Sequence, residues 1–194
     1  MTALHIAVCN GWSKLIPLLA SPANVNLLTN SNRTALHFAK TPEDTNSLLG
    51  VGADPNIVSD MGLTPMLEFC MNGDVDSALT IVHHGIRFNS VNWFQQDLSG
   101  KNFLHICAHM NYLTIVRSFC LVMERRDRKT LARVLDQFTR KHHTVLHAAC
   151  HASNYSMTQL LLAAGASPIL KNASGHTAAE ISKNEIVRHE VEGS

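Results

Sequence analysis

The sequence predicts an all-α solenoid of about six helix–turn–helix repeats joined by short β-turn fingers, and three observations predict it. A short opening recurs along the chain: TALHIA from Thr2, TALHFA from Thr34, TPMLEF from Thr64, NFLHIC from Asn102, TVLHAA from Thr144 and TAAEIS from Thr177. The starts lie 32, 30, 38, 42 and 33 residues apart, a period near thirty-three. A turn glycine keeps its place behind the opening, Gly85 falling 21 residues after Thr64 and Gly165 falling 21 after Thr144. Self-similarity of this kind marks an array in which each unit buries its apolar face only against its neighbours.

The stretch Thr144–Pro168 shows the local logic. Thr144 can cap a helix by offering its hydroxyl to a free backbone N–H. A small-residue helix follows, then a polar break at Ser153–Asn154, then a second helix with Met157, Leu160, Leu161 and Leu162. Gly165 closes it, since glycine reaches left-handed geometry without a steric penalty. A T-P-L-H-x-A opening at this period resembles the ankyrin repeat. The resemblance covers almost the whole chain. It implies one ankyrin-repeat domain over 1–194, non-catalytic protein–protein recognition, and an opening histidine that ties neighbouring loops by hydrogen bonds.

Composition narrows the function classes. Sixteen Lys and Arg against fifteen Asp and Glu leave a formal charge of +1, which argues against a global attraction to nucleic acid or membrane. No segment reaches the roughly 18 apolar residues of a membrane span, and no basic-then-apolar leader opens the chain. Five cysteines form no spaced disulfide framework. Cys70, Cys107 and Cys150 fall where other repeats hold Ala, so they read as small core residues in a reducing compartment, cytoplasmic or nuclear.

Taken in order, repeat 1 begins at the second residue with no polar helix in front to cover its outer face. That start suggests a fragment of a longer array, because terminal repeats need such a cap. Pro17 falls where the second helix should be under way, so that helix is expected to start late or bend. Repeat 2 is short, and TPED at Thr41–Asp44 restarts a helix with a cap, a proline at the first position and two acids in the first turn. Repeat 3 puts Leu67 in place of the histidine, which implies a looser joint. Its long exit, Arg87–Gly100, is expected to be an extended β-finger presenting Trp93 and Phe94.

Repeat 4 leads into the largest irregularity, the insert Glu124–His143. Leu131, Val134, Leu135 and Phe138 follow the i, i+3, i+4, i+7 pattern of an amphipathic helix. Its other face is basic, with Arg125, Arg126, Arg128, Lys129, Arg133, Arg140 and Lys141. Repeat 5 is regular. Repeat 6 reads as a first helix followed by a polar stretch, a partial C-terminal cap.

The chain's chemistry points to binding. His143, His147 and His151 with Cys150 are zinc-ligand types, but His147 is the repeat's own histidine, like His5, His37 and His105, so no metal or cofactor is expected. Cys107 with His105, and Cys150 with His147, supply pieces of a nucleophile–base pair. Both lie at core repeat positions, no phosphate loop or paired carboxylate is present, and the chain is not expected to be an enzyme.

The resemblance places partner contacts on the concave side, mapping to Leu63, Met71, Asn72, Lys101, His109, Met110, His143, His151 and Ala152. Trp93 and Phe94 are hot-spot residue types if the finger presents them. Arg125, Arg126, Arg128, Lys129 and Arg133 read either as a solvated face or as a dock for another protein, an acidic segment above all. Nucleic acid or anionic lipid is the lesser reading, because stacking aromatics are absent from this stretch. Clustered histidines could make binding depend on pH. Two regulators come to hand: one resembling the inhibitor-of-NF-κB branch, without its acidic flanks, and a host-directed ankyrin effector of a microbe or virus.

Overall fold

The computed structural model describes residues 1–193 and contains only helices and turns among them. The chain divides into two compact units, Met1–Gln95 and Gln96–Ser194, taken here in turn.

In the first unit, α1 (Ala3–Cys9) starts on Thr2, whose hydroxyl accepts from the His5 N–H while the Thr2 N–H donates to His5 Nδ1. A 3-10 turn at Ser13–Leu15 precedes α2 (Ile16–Leu19), only four residues long. Pro17 stands at its second position, where the missing N–H costs nothing, so the helix starts late as the sequence implies. The second repeat opens on a 3-10 turn, Ala35–Phe38. The break behind it is enforced at Thr41, held extended at φ −136° because proline follows.

Thr41 then caps α3 (Pro42–Gly50), its Oγ1 accepting from the Asp44 N–H at 3.1 Å. α4 (Pro65–Asn72) ends on Gly73 in left-handed geometry, and Asp74 caps α5 (Val75–Phe88). α3 and α4 pack on α5, and α1 packs on the Ala35–Phe38 turn. Leu4, Ile16, Leu36, Leu48, Leu67 and Ile81 form the buried interior.

In the second unit, α6 (Phe103–Met110) packs on α9 (Val145–His151). α7 (Leu113–Arg126) packs on α8 (Arg128–Leu135) and α10 (Tyr155–Ala163), and α10 on α11 (Glu185–Glu192). Phe103 meets Phe119 edge-on at 5.1 Å, among Leu104, Ile115, Leu131, Leu135 and Leu146. Asp127 closes α7 and caps α8, accepting from the Thr130 N–H at 3.0 Å.

Three expectations are corrected here. α8 buries Leu131, Val134 and Leu135, but it ends at Leu135 and leaves Phe138 37% exposed. The chain turns away because Asn102 Nδ2 donates to the Val134 carbonyl and to Gln137 Oε1 (3.0 and 2.9 Å), fixing the helix end. The last repeat is inverted: Thr177–Ile181 forms turns, with Thr177 N–H donating to the Glu180 carboxylate, and the polar stretch makes α11 on an Asn184 cap.

The third correction is the finger Arg87–Gly100, which has no strand: Arg87 and Phe88 are the last turn of α5. Its far end, Asp97–Lys101, is a tight turn of the same kind as the other fingers. In the first unit Thr29 N–H donates to the Arg33 carbonyl and Ser59 N–H to Leu63, both at 2.9 Å. In the second, Asp97 pairs with Lys101, Thr139 with His143 and Asn172 with His176. The fourth residue of each is left-handed: Asn32, Gly62, Gly100, His142 and Gly175.

Candidate interaction surface

The opening histidines set the spacing between fingers. Each Nδ1 accepts the backbone N–H of its cap residue, at 3.2 Å for Thr2–His5, 3.1 Å for Thr34–His37 and 3.3 Å for both Asn102–His105 and Thr144–His147. A backbone N–H can only donate, and the Thr hydroxyl 2.8 to 2.9 Å from Nδ1 can donate as well, so in His5, His37 and His147 the neutral ring carries its proton on Nε2. His105 Nδ1 also faces Asn102 Oδ1, an acceptor, at 2.7 Å. In those three rings Nε2 donates to the next finger's carbonyl, His5 to Arg33, His37 to Leu63 and His147 to His176, at 3.1 to 3.2 Å, and His105 Nε2 lies 3.1 Å from the His143 carbonyl. Burial pushes His37 and His105 down to about 4, against the carbonyl contacts, which pull the other way. Leu67, the exception, is buried and apolar.

The reactive-residue candidates are packing groups in this geometry. Burial pushes the Cys150 thiol up to about 11, so it is protonated beside Thr158. His147, proposed as its base, has both ring nitrogens engaged. Cys107 is buried, and the His105 ring is held by Asn102 and the His143 carbonyl. Among the described residues no group of three or more His, Cys, Asp or Glu could share a metal ion. No helix among the described residues is long and apolar enough to cross a membrane.

In the first unit, Met71 and Asn72 are exposed at the end of α4, and Leu63 is half-buried, its carbonyl taken by His37. Trp93 corrects the expectation of projecting aromatics: it is 6% exposed, and Phe94 is half-buried. The physical reason is Gly85 in α5, where a Cβ would stand 2.8 Å from Trp93 Cη2 and 2.5 Å from Val91 Cγ2. The bare backbone of α5 makes room for the indole.

The second unit brings several site residues together. His109, near the end of α6, and His151, at the end of α9, are exposed with ring centroids 6.4 Å apart. Asn154 Nδ2 ties the α9–α10 turn to α6 by donating to the Ala108 carbonyl at 2.8 Å. His143 stacks on His147 at 5.5 Å, and Asn172 Nδ2 lies 3.4 Å from its Nε2. Burial first, then His151 and Lys141, hold His143 below the usual histidine range. Met110 and Lys101 are exposed, and Ala152 is half-buried.

Arg125, Arg126, Arg128, Lys129 and Arg133 are all exposed around the α7–α8 corner. Within 124–143 seven Lys and Arg face three Asp and Glu, a net +4. Arg125 and Arg126 sit in the last turn of α7, where the helix dipole favours cations. Arg128 and Lys129 occupy the first turn of α8, where it disfavours them.

Arg140 and Lys141, expected on the basic face of the insert helix, lie instead beyond its end at Leu135, on the fingertip 139–142, and the sequence analysis did not single out His142 there. Arg140, Lys141 and His142 are exposed there, and the His142 ring lies 5.5 Å from Phe138. Alignment of the five fingers carries the signal: His142 takes a left-handed position (φ 56°) held elsewhere by Gly or Asn.

Residues 141–173 match the family model for the ankyrin repeat. An ankyrin repeat protein of Acanthamoeba polyphaga mimivirus is 29% identical over 120 residues, which is 59% of this chain. The matched stretch spans only 15% of the length of that relative. Among solved structures, the ankyrin repeat protein EF0377 aligns over 98% of this chain and 94% of its own, with a TM-score of 0.78 and 19% identity.

A chain from the complex of the Bdellovibrio bacteriovorus predatory endopeptidase Bd0816 with immunity protein Bd3460 aligns over 100% of this chain and 98% of its own (TM-score 0.72, 18% identity). The human ASB11 ankyrin repeat domain aligns over 99% and 97% (TM-score 0.53, 22% identity). Helix pairs joined by histidine-tied fingers define an all-α fold class of protein–protein interaction modules, generally non-enzymatic. Residues 141–173 match an ankyrin repeat, and the chain as a whole has the fold of the ankyrin-repeat structures it is similar to.

Proposed function

We propose that the unit 96–193 recognises an acidic segment of a partner protein. The contacts run through Lys101, His109, Met110, His143 and His151, and through the basic corner Arg125, Arg126, Arg128, Lys129 and Arg133. One observation carries this reading: Arg128 and Lys129 stand exposed at the positive end of α8. Cations there oppose the helix dipole by roughly 0.3–1 kcal/mol each, so local helix stability does not account for them. A carboxylate-bearing partner would relieve the same field.

The Bdellovibrio neighbour, which comes from a protein–protein complex, supports the broader reading of a protein partner. In the first unit, Met71 and Asn72 offer a further contact through an adaptable side chain. The test is affinity capture from lysate with mass spectrometry, comparing the intact chain with an Arg128→Glu/Lys129→Glu form and a His109→Ala/His151→Ala form. A discrete protein lost with both variants supports the proposal. Recovery of only nucleic acid or lipid, lost with charge reversal alone, replaces it.

A second reading, an ankyrin protein of a virus or intracellular microbe directed at a host target, draws on the viral origin of the relative. Retention of one host protein from an amoebal extract, and of none from the producing cell, is its expected result.

A further inference from the structure

In the second unit the three fingertips, 97–101, 139–143 and 172–176, are joined edge to edge. The Arg140 N–H donates to the Ser99 carbonyl at 3.0 Å, and the Ala173 N–H to the Lys141 carbonyl at 3.3 Å. Lys101, Arg140 and Lys141 are exposed along this ridge, and none makes an ion pair with a described residue. Asp97 is the one carboxylate on the three tips. Its own turn occupies it: it accepts from the Ser99 N–H, the Ser99 hydroxyl and the Lys101 N–H at 2.7 to 2.8 Å.

The turn itself does not need these cations. In the first unit, the tip 29–33 has its one cation, Arg33, paired with Glu68, and the tip 59–63 has none. Nor does local stability account for His142, which is left-handed at φ 56°, a geometry strained for a residue with a side chain. Its ring lies 5.5 Å from Phe138. Phe138, expected on the buried stripe of the insert helix, is 37% exposed beside it. The structure thus sets an exposed aromatic next to cations that no acid answers.

We propose that this ridge binds single-stranded nucleic acid, with Lys101, Arg140 and Lys141 meeting phosphates and a base stacking on the Phe138–His142 pair. Cations that follow a backbone and an exposed ring on which bases stack are the two elements of such a surface. The stacking pair favours a nucleic acid over an acidic peptide, which brings carboxylates but no base. It favours a single strand over a duplex, whose bases are stacked on one another and closed to Phe138. Arg128 and Lys129, which carry the acidic-segment reading, take no part in this surface.

Fluorescence anisotropy of a short labelled oligouridylate titrated with the full chain tests this. The expected result is binding that weakens with salt at a log–log slope of about −2, the signature of about three neutralised phosphates. Arg140→Ala/Lys141→Ala should weaken binding and reduce the slope to about −0.7. His142→Gly should melt close to the intact chain, because glycine is at ease in left-handed geometry. It should nonetheless bind about fivefold more weakly through lost stacking. That pairing of unchanged stability with weaker binding is what a structural role for His142 would not produce. Absence of binding, equal affinity for a labelled polyglutamate peptide or for a duplex, or either variant binding as tightly as the intact chain overturns the proposal.

Discussion

His37 donates from Nε2 to the Leu63 carbonyl at 3.1 Å while its Nδ1 accepts the Thr34 N–H. One neutral ring therefore holds a helix start and the next finger together, and His105 does the same between Asn102 and His143. Protonation would turn the His37 Nδ1 from acceptor to donor, so the Thr34 N–H would lose its partner and only the Thr34 hydroxyl, 2.9 Å away, could turn to accept.

Acid should therefore weaken the fold through these rings. Both have folded values near 4, below the ordinary 6.5. Between these values the unfolded chain binds protons that the folded chain refuses, so stability is full above 6.5 and is lost as pH falls toward 4. The loss approaches roughly 3 kcal/mol per ring at the acid end. Urea midpoints should fall between about pH 7 and about pH 5, with a shallower fall in His37→Gln. A midpoint indifferent to pH would contradict this reading.

Trp93 should behave as a core residue. Trp93→Ala is expected to cost roughly 3–5 kcal/mol by leaving a cavity. Gly85→Ala should cost about 1–3 kcal/mol, because its Cβ would meet Trp93 and Val91. Thermal melts of both variants check this. A Trp93→Ala chain as stable as the intact one would return the indole to the surface.

Gly100 tests the fingers. It is left-handed at φ 81°, and a Cβ there would stand 2.7 Å from the Arg140 backbone nitrogen, which donates to the Ser99 carbonyl at 3.0 Å. Gly100→Ala should destabilise by more than 1 kcal/mol, since neither backbone can yield cheaply. Hydrogen exchange at Arg140 should accelerate in the variant, and unchanged protection there would count against the contact.

Arg128→Glu/Lys129→Glu should separate stability from binding. Acidic residues suit the first turn of α8, so the melting temperature should hold or rise by an amount worth roughly 0.3–1 kcal/mol per site. Calorimetry checks it, and a lower melting temperature would mean these cations support the helix.

The repeat openings, the caps at Thr41 and Thr144, and the buried cysteines were legible because each rests on local chemistry within a few residues. Phe138 was misplaced because its helix ends through Asn102, more than thirty residues away in sequence. Trp93 was misplaced because its burial depends on the missing side chain of Gly85, whose helix reads as ordinary in the sequence. The last repeat was inverted because a Thr177–Glu180 cap and an Asn184 cap compete over a few residues, and pattern alone does not rank them. His109 and His151 were each readable from register, but their 6.4 Å approach required the packing of α6 on α9.

The most direct test of the recognition account is selection from a random peptide display library against the intact chain, with the His109→Ala/His151→Ala and Arg128→Glu/Lys129→Glu forms run in parallel. The account predicts enrichment of Asp- and Glu-rich peptides on the intact chain, weakened by added salt and lost on both variants. Enriched peptides without acidic residues, or acidic peptides retained equally by both variants, would contradict it.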